Sequence, residues 1–430
     1  MIPTPSTVRA HLTSIFFALF LLSSLLLIPP AHARGGYVNL FDGHSLNGWH
    51  TASGAPYTAQ NGILTCPVNG GNLYTDKEYG DFDFQFDFRL QKGGNNGIGI
   101  RAPFQGDAAY AGMEIQILDD SDPQYATLQP WQFHSSIYGV VPARRGSLKP
   151  VGQWNHEEIR CVGRHVKITV NHHVTVDADL DDVKDPAVLQ QHPGIQRVTG
   201  HIGFLGHDSV VDFRNIRVKD LTRPLSDNVP PASFTPLFDG HDLNGWKGLV
   251  SDPPHRALMS PAELATAEQA ATTEALKHWS VVDGVITYDG KNNNLCTVKD
   301  YRDFAMMVDW KIPPGGDSGI YLRGSPQVQI WDNPIGSGGL YNNQINPSHP
   351  LVVADRPIGQ WNHFEIVMVG NKVTVYLNGQ LVVDRVTMEN YWERDKPIYP
   401  VGQIELQHHG SDLYFKNIFI RELPVVADHR

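Results

Sequence analysis

From Asp81 to Arg89 every second residue is a phenylalanine: Phe82, Phe84, Phe86 and Phe88 alternate with Asp83, Gln85 and Asp87. Only a period of two puts all four rings on one side, so the stretch predicts a strand with one buried and one polar face. Val166–Val170 alternates in the same way. So does Val373–Leu377, which runs into Asn378-Gly379, a strong two-residue hairpin signal. Many such short strands, separated by Gly, Asn and Asp turns, predict an all-β sandwich or jelly roll. The one extended helical pattern is Met259–Lys277. There Ser260 as N-cap, Pro261 at the first helical position and Glu263 as capping-box partner precede an Ala-rich run. It is either a surface helix on a sandwich edge or a lid over a ligand site.

The strand pattern occurs twice. "LFDGHSLNGW" at Leu40–Trp49 returns as "LFDGHDLNGW" at Leu237–Trp246, nine of ten positions identical and 197 residues apart. Solenoid units run ~20–50 residues, so this spacing predicts two homologous domains in tandem. Matched positions continue through Tyr79/Tyr301, Arg101/Arg323, Asp119/Asp332, Trp154/Trp361 and His207/His409, with shifts only between blocks. The expected organisation is residues 34–221, a Pro-rich linker at 222–236, and residues 237–424. The helical pattern is an insertion in the second copy.

Residues 1–33 are of another kind: Arg9, an apolar run from Ile15 to Ile28, Pro29-Pro30, then Ala31-His32-Ala33. This is the layout of a secretory signal peptide, too short in its apolar run to span a bilayer comfortably. The mature chain is expected to be secreted or periplasmic, with no transmembrane segment. Removing residues 1–33 deletes one charge, Arg9, and takes the net charge from −11 to −12. That sign argues against nucleic acid as a partner. With 15 Tyr and 9 Trp, a neutral polyhydroxylated ligand such as a carbohydrate fits better. Cys66, Cys161 and Cys296 match neither each other's place in the repeat nor any metal spacing, and are expected as isolated buried thiols.

Three blocks carry side chains that core-building does not require. "NNGIGIR" (Asn95–Arg101) matches "DSGIYLR" (Asp317–Arg323). Gly97 and Gly319 permit a close approach, and each arginine either offers forked donors to a ligand or pairs with a carboxylate of the chain. In "GMEIQILDD" (Gly112–Asp120), Glu114 and Gln116 share one face with Asp119 at the strand's end. Such carboxylates suit acid/base work, or line a solvent-facing sheet. The second copy has Gln327 where the first has Glu114. His207 and His409 each precede a last strand, as a proton shuttle, a ligand or an ordinary surface histidine. Between these blocks "QPWQFHSSIYG" offers Trp131, His134 and Tyr138 in a loop, suited to a sugar ring. "GQWN", at Trp154 and Trp361, is expected to place its tryptophan in the core.

Each copy resembles the bacterial secreted domain described as a 3-keto-disaccharide hydrolase, or 3-keto-glucoside 1,2-lyase/3-keto-2-hydroxy-glucal hydratase. The resemblance rests on "LFDG…LNGW", "Y.DF", "GI..R", "E.Q..D" or its Gln327 variant, "GQWN" and "H…F.NI". It implies two tandem concanavalin A-like (LamG-like) jelly rolls with a carbohydrate site on the concave face. The family usually has "LQ.H" before the last strand. The second copy keeps Leu406-Gln407-His408-His409, whereas the first has Leu205-Gly206-His207. The implied chemistry removes a proton from carbon 2 of a 3-keto sugar, expels the glycosidic oxygen and adds water. Glu114 is then the base, Arg101 the enolate stabiliser, and Asp119, His134 or His207 the proton donor or orienting group. Implied sugar contacts are Gln116, Tyr138, Trp131 and Asn96 in the first copy. In the second they are Arg323, Gln327, Gln329, Asp332, Gln407 and His409. A divalent metal held by His and Asp is the alternative to Arg101, although no compact ligand spacing demands one. Two other classes stay open: a non-catalytic tandem carbohydrate-binding protein, and a hydrolase of unoxidised glycosides using two carboxylates.

Overall fold

The computed structural model describes residue 1 and residues 36–222 and 226–424. Residues 2–33 of the expected signal peptide, and residues 223–225 of the expected linker, lie outside that range. Among the described residues no helix is long and apolar enough to cross a membrane.

The described residues from Tyr37 to Pro424 form one compact unit containing two antiparallel sandwiches. In the first, an eight-stranded sheet runs in the order His173–Asp179, His165–Val170, Trp154–Val162, Phe82–Leu90, Val211–Asp220, Ile63–Cys66 and Thr58–Gln60, with Val38–Asn39 paired to Val211–Asp220. It faces a five-stranded sheet of Trp49–Thr51, Asn72–Tyr79, Gly200–Gly206, Asn95–Ala102 and Met113–Leu118. Both sheets recur in the second sandwich with the same topology. The last strand of each copy pairs with strands from early and middle parts of the chain, giving the expected jelly-roll architecture.

The four phenylalanines of Phe82–Leu90 lie fully buried between the sheets. Their strand's other face is a lattice of charge: Arg160 on Asp83 at 3.2 Å, Arg217 on Gln85 at 2.7 Å, Arg214 on Asp87 at 3.2 Å. The tryptophan of "GQWN" belongs to that outer face, contrary to expectation. On Trp154–Val162 it is Asn155, Glu157, Ile159 and Cys161 that turn inward, so Trp154 points out, clamped between Arg89 and Arg214 at 4.7 and 4.0 Å. Trp361 lies likewise against Lys311 and Lys416.

The repeat motif has a local physical meaning. Asp42 Oδ1 accepts from the amides of His44 and Ser45 (2.8 and 2.7 Å), and the Trp49 indole donates back to the Leu40 carbonyl (2.7 Å). Asp239 and Trp246 repeat the arrangement. Both tryptophans are buried, so the motif ties each domain's opening loop to its core. The three cysteines are buried and free.

The insertion forms the helix Pro261–Ala275, with the capping box between Ser260 and Glu263 in place. It packs on the edge strand Trp246–Gly248, where a Cβ on Gly248 would lie 2.2 Å from the Ala271 carbonyl oxygen. Ahead of it comes a short helix, Pro253–Ala257. The sandwiches also touch. Tyr376 donates its hydroxyl proton to the Ala111 carbonyl at 2.7 Å, and the Arg197 guanidinium stacks 4.2 Å over the Tyr376 ring.

Candidate functional site

On Met113–Leu118 the side chains of Met113, Ile115 and Ile117 enter the core, which turns Glu114 and Gln116 to the sheet's outer face. That face is not open to solvent: Glu114 and Gln116 are 4% and 5% exposed. The loop after the strand and the helix Ala108–Ala111, capped by Asp107, wall in a cavity of about 220 Å³. Glu114, Gln116, Tyr138 and His207 all line it, with Asn95, Asp107, Tyr110, Tyr125 and Gln132.

Inside it, His207 Nε2 hydrogen-bonds Glu114 Oε1 at 3.0 Å. Burial draws the His207 pKa down, but the hydrogen bond and charge of Glu114, with Asp107 and Asp208 behind, outweigh it, and the imidazole stays protonated above its ordinary range. Gln116 Nε2 donates to Asn95 Oδ1 at 2.7 Å, and Gln132 Nε2 to the Tyr138 hydroxyl at 3.1 Å. These second contacts fix the orientation of the groups facing the cavity. Gly97 explains the space: a Cβ there would lie 2.0 Å from Glu114 Oε1.

The other sequence candidates lie elsewhere. Arg101 is buried, with Nε and Nη2 donating to the Gly80 carbonyl (3.1 and 2.9 Å), Nη1 to the Arg197 carbonyl, and Nη2 3.4 Å from Asp81. It does not line the cavity; of its two readings, the intramolecular one describes these contacts. Arg323 is held the same way, by the Arg302 and Gly370 carbonyls and Asp303. Asp119 accepts from the Gly93 amide (2.9 Å) and from Ser121, and thus pins a turn. Asp332 does so for Gly315. Asn96 turns into the core face and is fully buried, while Trp131 stands 40% exposed on the turn Pro130–Gln132.

His134 also points inward. Its Nδ1 accepts from the Leu118 amide at 3.3 Å, and its Nε2 lies 3.7 Å from Glu157, a residue with no exposure at all. Burial pushes His134 down to about 3 and Glu157 well above the carboxylate range, so both are neutral. In the second copy Ser337 Oγ accepts from the Trp331 amide as His134 does from Leu118, and Phe364 stands in the place of Glu157. The histidine and the acid are exchanged together.

The second copy's equivalents form a different chain. Gln327 donates to Gln329 (2.5 Å), Gln329 to Asp317 (2.8 Å), and His409 Nδ1 lies 3.5 Å from Asp317. Gln407 and His409 line a separate cavity of about 600 Å³. Among the described residues no three His, Cys, Asp or Glu side chains converge as a metal-ligating group.

Asp107, Tyr110, Tyr125 and Gln132 carry no periodic mark in the sequence, because they come from turns and a one-turn helix. The Asp107 cap before "AAYA" was the one legible signal.

Comparison with known proteins places these features in context. The family model described as the 3-keto-alpha-glucoside-1,2-lyase-like domain matches residues 36–219 and again 233–421. A 3-keto-disaccharide hydrolase of Bacteroides thetaiotaomicron is 25% identical over 228 residues, 43% of this chain and 79% of that protein. A candidate glycosyl hydrolase of Parabacteroides distasonis, solved by crystallography, is 27% identical with a TM-score of 0.39, over 44% of this chain and 100% of that one. A carbohydrate-binding module from Bacillus subtilis is 15% identical with a TM-score of 0.24, over 39% and 93%.

Proposed function

Since the chain belongs to the 3-keto-alpha-glucoside-1,2-lyase-like domain family, in two copies, we propose that it is a carbohydrate-active enzyme whose first sandwich cleaves 3-keto-glycosides by elimination and hydration. The observation that carries this reading is the hydrogen bond between buried Glu114 and His207, which stands exposed at the mouth of a cavity ringed by Tyr110, Tyr125 and Tyr138. At about 220 Å³ the cavity is smaller than the ~300–1,000 Å³ of drug-sized sites. It suits one sugar ring, with the leaving group outside.

The ketone at carbon 3 acidifies the hydrogen on carbon 2. Glu114 takes that proton, and the electrons of the C2–H bond pass into the enolate. Tyr138, held by Gln132, and Gln116, held by Asn95, are the neutral donors placed to face the enolate oxygen. This gives to them the role that the family resemblance lent to Arg101. As the enolate collapses the C1–O bond breaks, and its electron pair leaves with the glycosidic oxygen, which is protonated by the His207 imidazolium. Water then adds at carbon 1 while a proton returns to carbon 2. A positioned base or acid contributes typically ~10²–10⁴-fold.

The second sandwich, with Gln327 at the place of Glu114, has no base at the equivalent point. The signal-peptide pattern of residues 1–33 supports action outside the cytoplasm, secreted or periplasmic.

Product analysis tests the proposal, with a 3-keto-glucoside beside its unoxidised parent in deuterated water. Cleavage of the keto sugar alone, with deuterium entering at carbon 2, is the expected result. Cleavage of both without exchange indicates ordinary two-carboxylate hydrolysis; binding without turnover indicates a module.

A further inference from the structure

The five-stranded sheets of the two sandwiches differ along one cross-strand row. In the first, Tyr74, Gly203, Gly99 and Glu114 stand side by side on neighbouring strands. The Tyr74 ring fills the space above the glycines: a Cβ on Gly203 would lie 2.2 Å from it, one on Gly99 3.3 Å. In the second, the row has Cys296, Glu405 and Tyr321. The tyrosine has become a small thiol, the glycines have become an acid and a tyrosine, and the carboxylate has moved two strands along. At ~4.8 Å per strand that is a shift of about 10 Å.

From this geometry we infer that the second sandwich carries a saccharide-binding site of its own, in which Glu405 receives sugar hydroxyls and Trp392 stacks on the ring. The site is the cavity of about 600 Å³ over this row. Its floor is built: Glu405 is 2% exposed and accepts from Asn294 Nδ2 at 3.0 Å, while Asn294 Oδ1 accepts from the His408 amide. Trp392 stands at the rim, 36% exposed, its indole nitrogen fixed on the Gly324 carbonyl at 2.8 Å. Gln407 donates weakly to Tyr321, and its Oε1 is buried without a partner in the cavity wall. The opposite wall, Ser251 and Asp252, lies between the edge strand Trp246–Gly248 and the short helix Pro253–Ala257 that leads into the inserted helix.

The lining selects the ligand. Glu405 and Asp252 disfavour anions. A quaternary amine wants a cage of aromatic faces, whereas one exposed indole with amide, hydroxyl and carboxylate groups matches a neutral pyranose, a ring with an apolar face and an edge of hydroxyls. Choosing a sugar among neutral polyols rests on the glycoside reading above, while the site itself rests on the row.

Calorimetry on the full chain with methyl α- and β-glucopyranoside, maltose and cellobiose tests it. The expected result is saturable binding of at least one of them that weakens at least tenfold in Trp392→Ala and in Glu405→Gln. Trp392→Phe, which keeps a stacking face, should retain most of the affinity. Melting curves verify that each variant is folded, and Trp392, at the rim, stays informative even if Glu405→Gln perturbs the floor. No binding to the wild type, or binding unchanged in both variants, overturns the inference; so does preference for tetramethylammonium. None of these outcomes bears on keto-sugar cleavage, which the turnover assay reads separately.

Discussion

A methyl group on Gly97 would sit 2.0 Å from the Oε1 of Glu114 on the adjacent strand. The glycine therefore holds open the volume in which the carboxylate lies. Gly97→Ala should push Glu114 out of line with His207, because a side-chain end moves more easily than a strand. The expected outcome is a ~10²–10⁴-fold loss of kcat with a nearly unchanged melting temperature. Full activity would show that Glu114 is not needed where it stands.

The Glu114–His207 pair should also be visible in pH dependence. The folded His207 pKa is raised, so the pair's contribution to stability is complete below the unfolded imidazole value of ~6.5 and fades as pH rises through the folded value. As the acid for the leaving group, His207 should give kcat an alkaline limb. Glu114→Gln should lower the His207 titration midpoint, followed by NMR of the ring protons, along with the ~10²–10⁴-fold loss of turnover. An unmoved midpoint would dissociate the two residues.

Glu405 gives the opposite linkage for a carboxylate. Burial raises it to about 7 from 4.5, with Asn294 and Arg256 opposing; Cys296 and Tyr321 are its other titratable neighbours. Its folded value lies above its unfolded one, so ionisation is destabilising, by up to about 3 kcal/mol once pH exceeds 7. Denaturant unfolding should find Glu405→Gln more stable than wild type at pH 8, with the difference shrinking toward pH 4.5. Parallel curves would mean that Glu405 titrates normally.

Arg101 should matter to folding rather than to turnover. Arg101→Gln strands the Gly80 and Arg197 carbonyls in the interior and should cost about 3 kcal/mol. The folded fraction should keep its kcat. A loss of kcat at unchanged stability would return Arg101 to the chemistry.

The buried His134–Glu157 pair should behave as a unit. Changing both to the second copy's residues, His134→Ser with Glu157→Phe, should be tolerated better than the sum of the single changes. A coupling of about 1–3 kcal/mol in a double-mutant cycle is expected; additive effects would mean that the two side chains do not interact.

Much of this architecture was legible because it is periodic. Alternating phenylalanines, the Asn378-Gly379 turn and the Ser260–Glu263 capping box each have a local cause, and each forms as read. The outward turn of Glu114 and Gln116 followed from strand period alone. Arg101 and His134 illustrate the limit: polarity in a loop or at a strand's end does not say whether donors meet a ligand or a backbone carbonyl. That depends on Gly80 and Arg197, or on Glu157, residues 21 to 96 positions away. Trp154 was misplaced because the start of a strand, and hence its inward phase, is weakly marked. Glu405 carries no local mark: its setting is made by Cys296 and Tyr321 on the two neighbouring strands, where the first sandwich has Tyr74 and Gly99 flanking Gly203.

A duplicated half is ordinarily dispensable, since its twin can stand alone. The hydrogen bond from Tyr376 to Ala111 denies that freedom here. It holds the short helix whose neighbouring residue Tyr110 lines the first cavity, and Arg385 of the second sandwich lies 4.8 Å over the Tyr110 ring. A chain truncated after the first sandwich would present the Ala111 carbonyl to water and leave Tyr110 without its cationic backing. Tyr376 and Arg385 thus tie the second half to the first cavity even though its own cavity is lined differently.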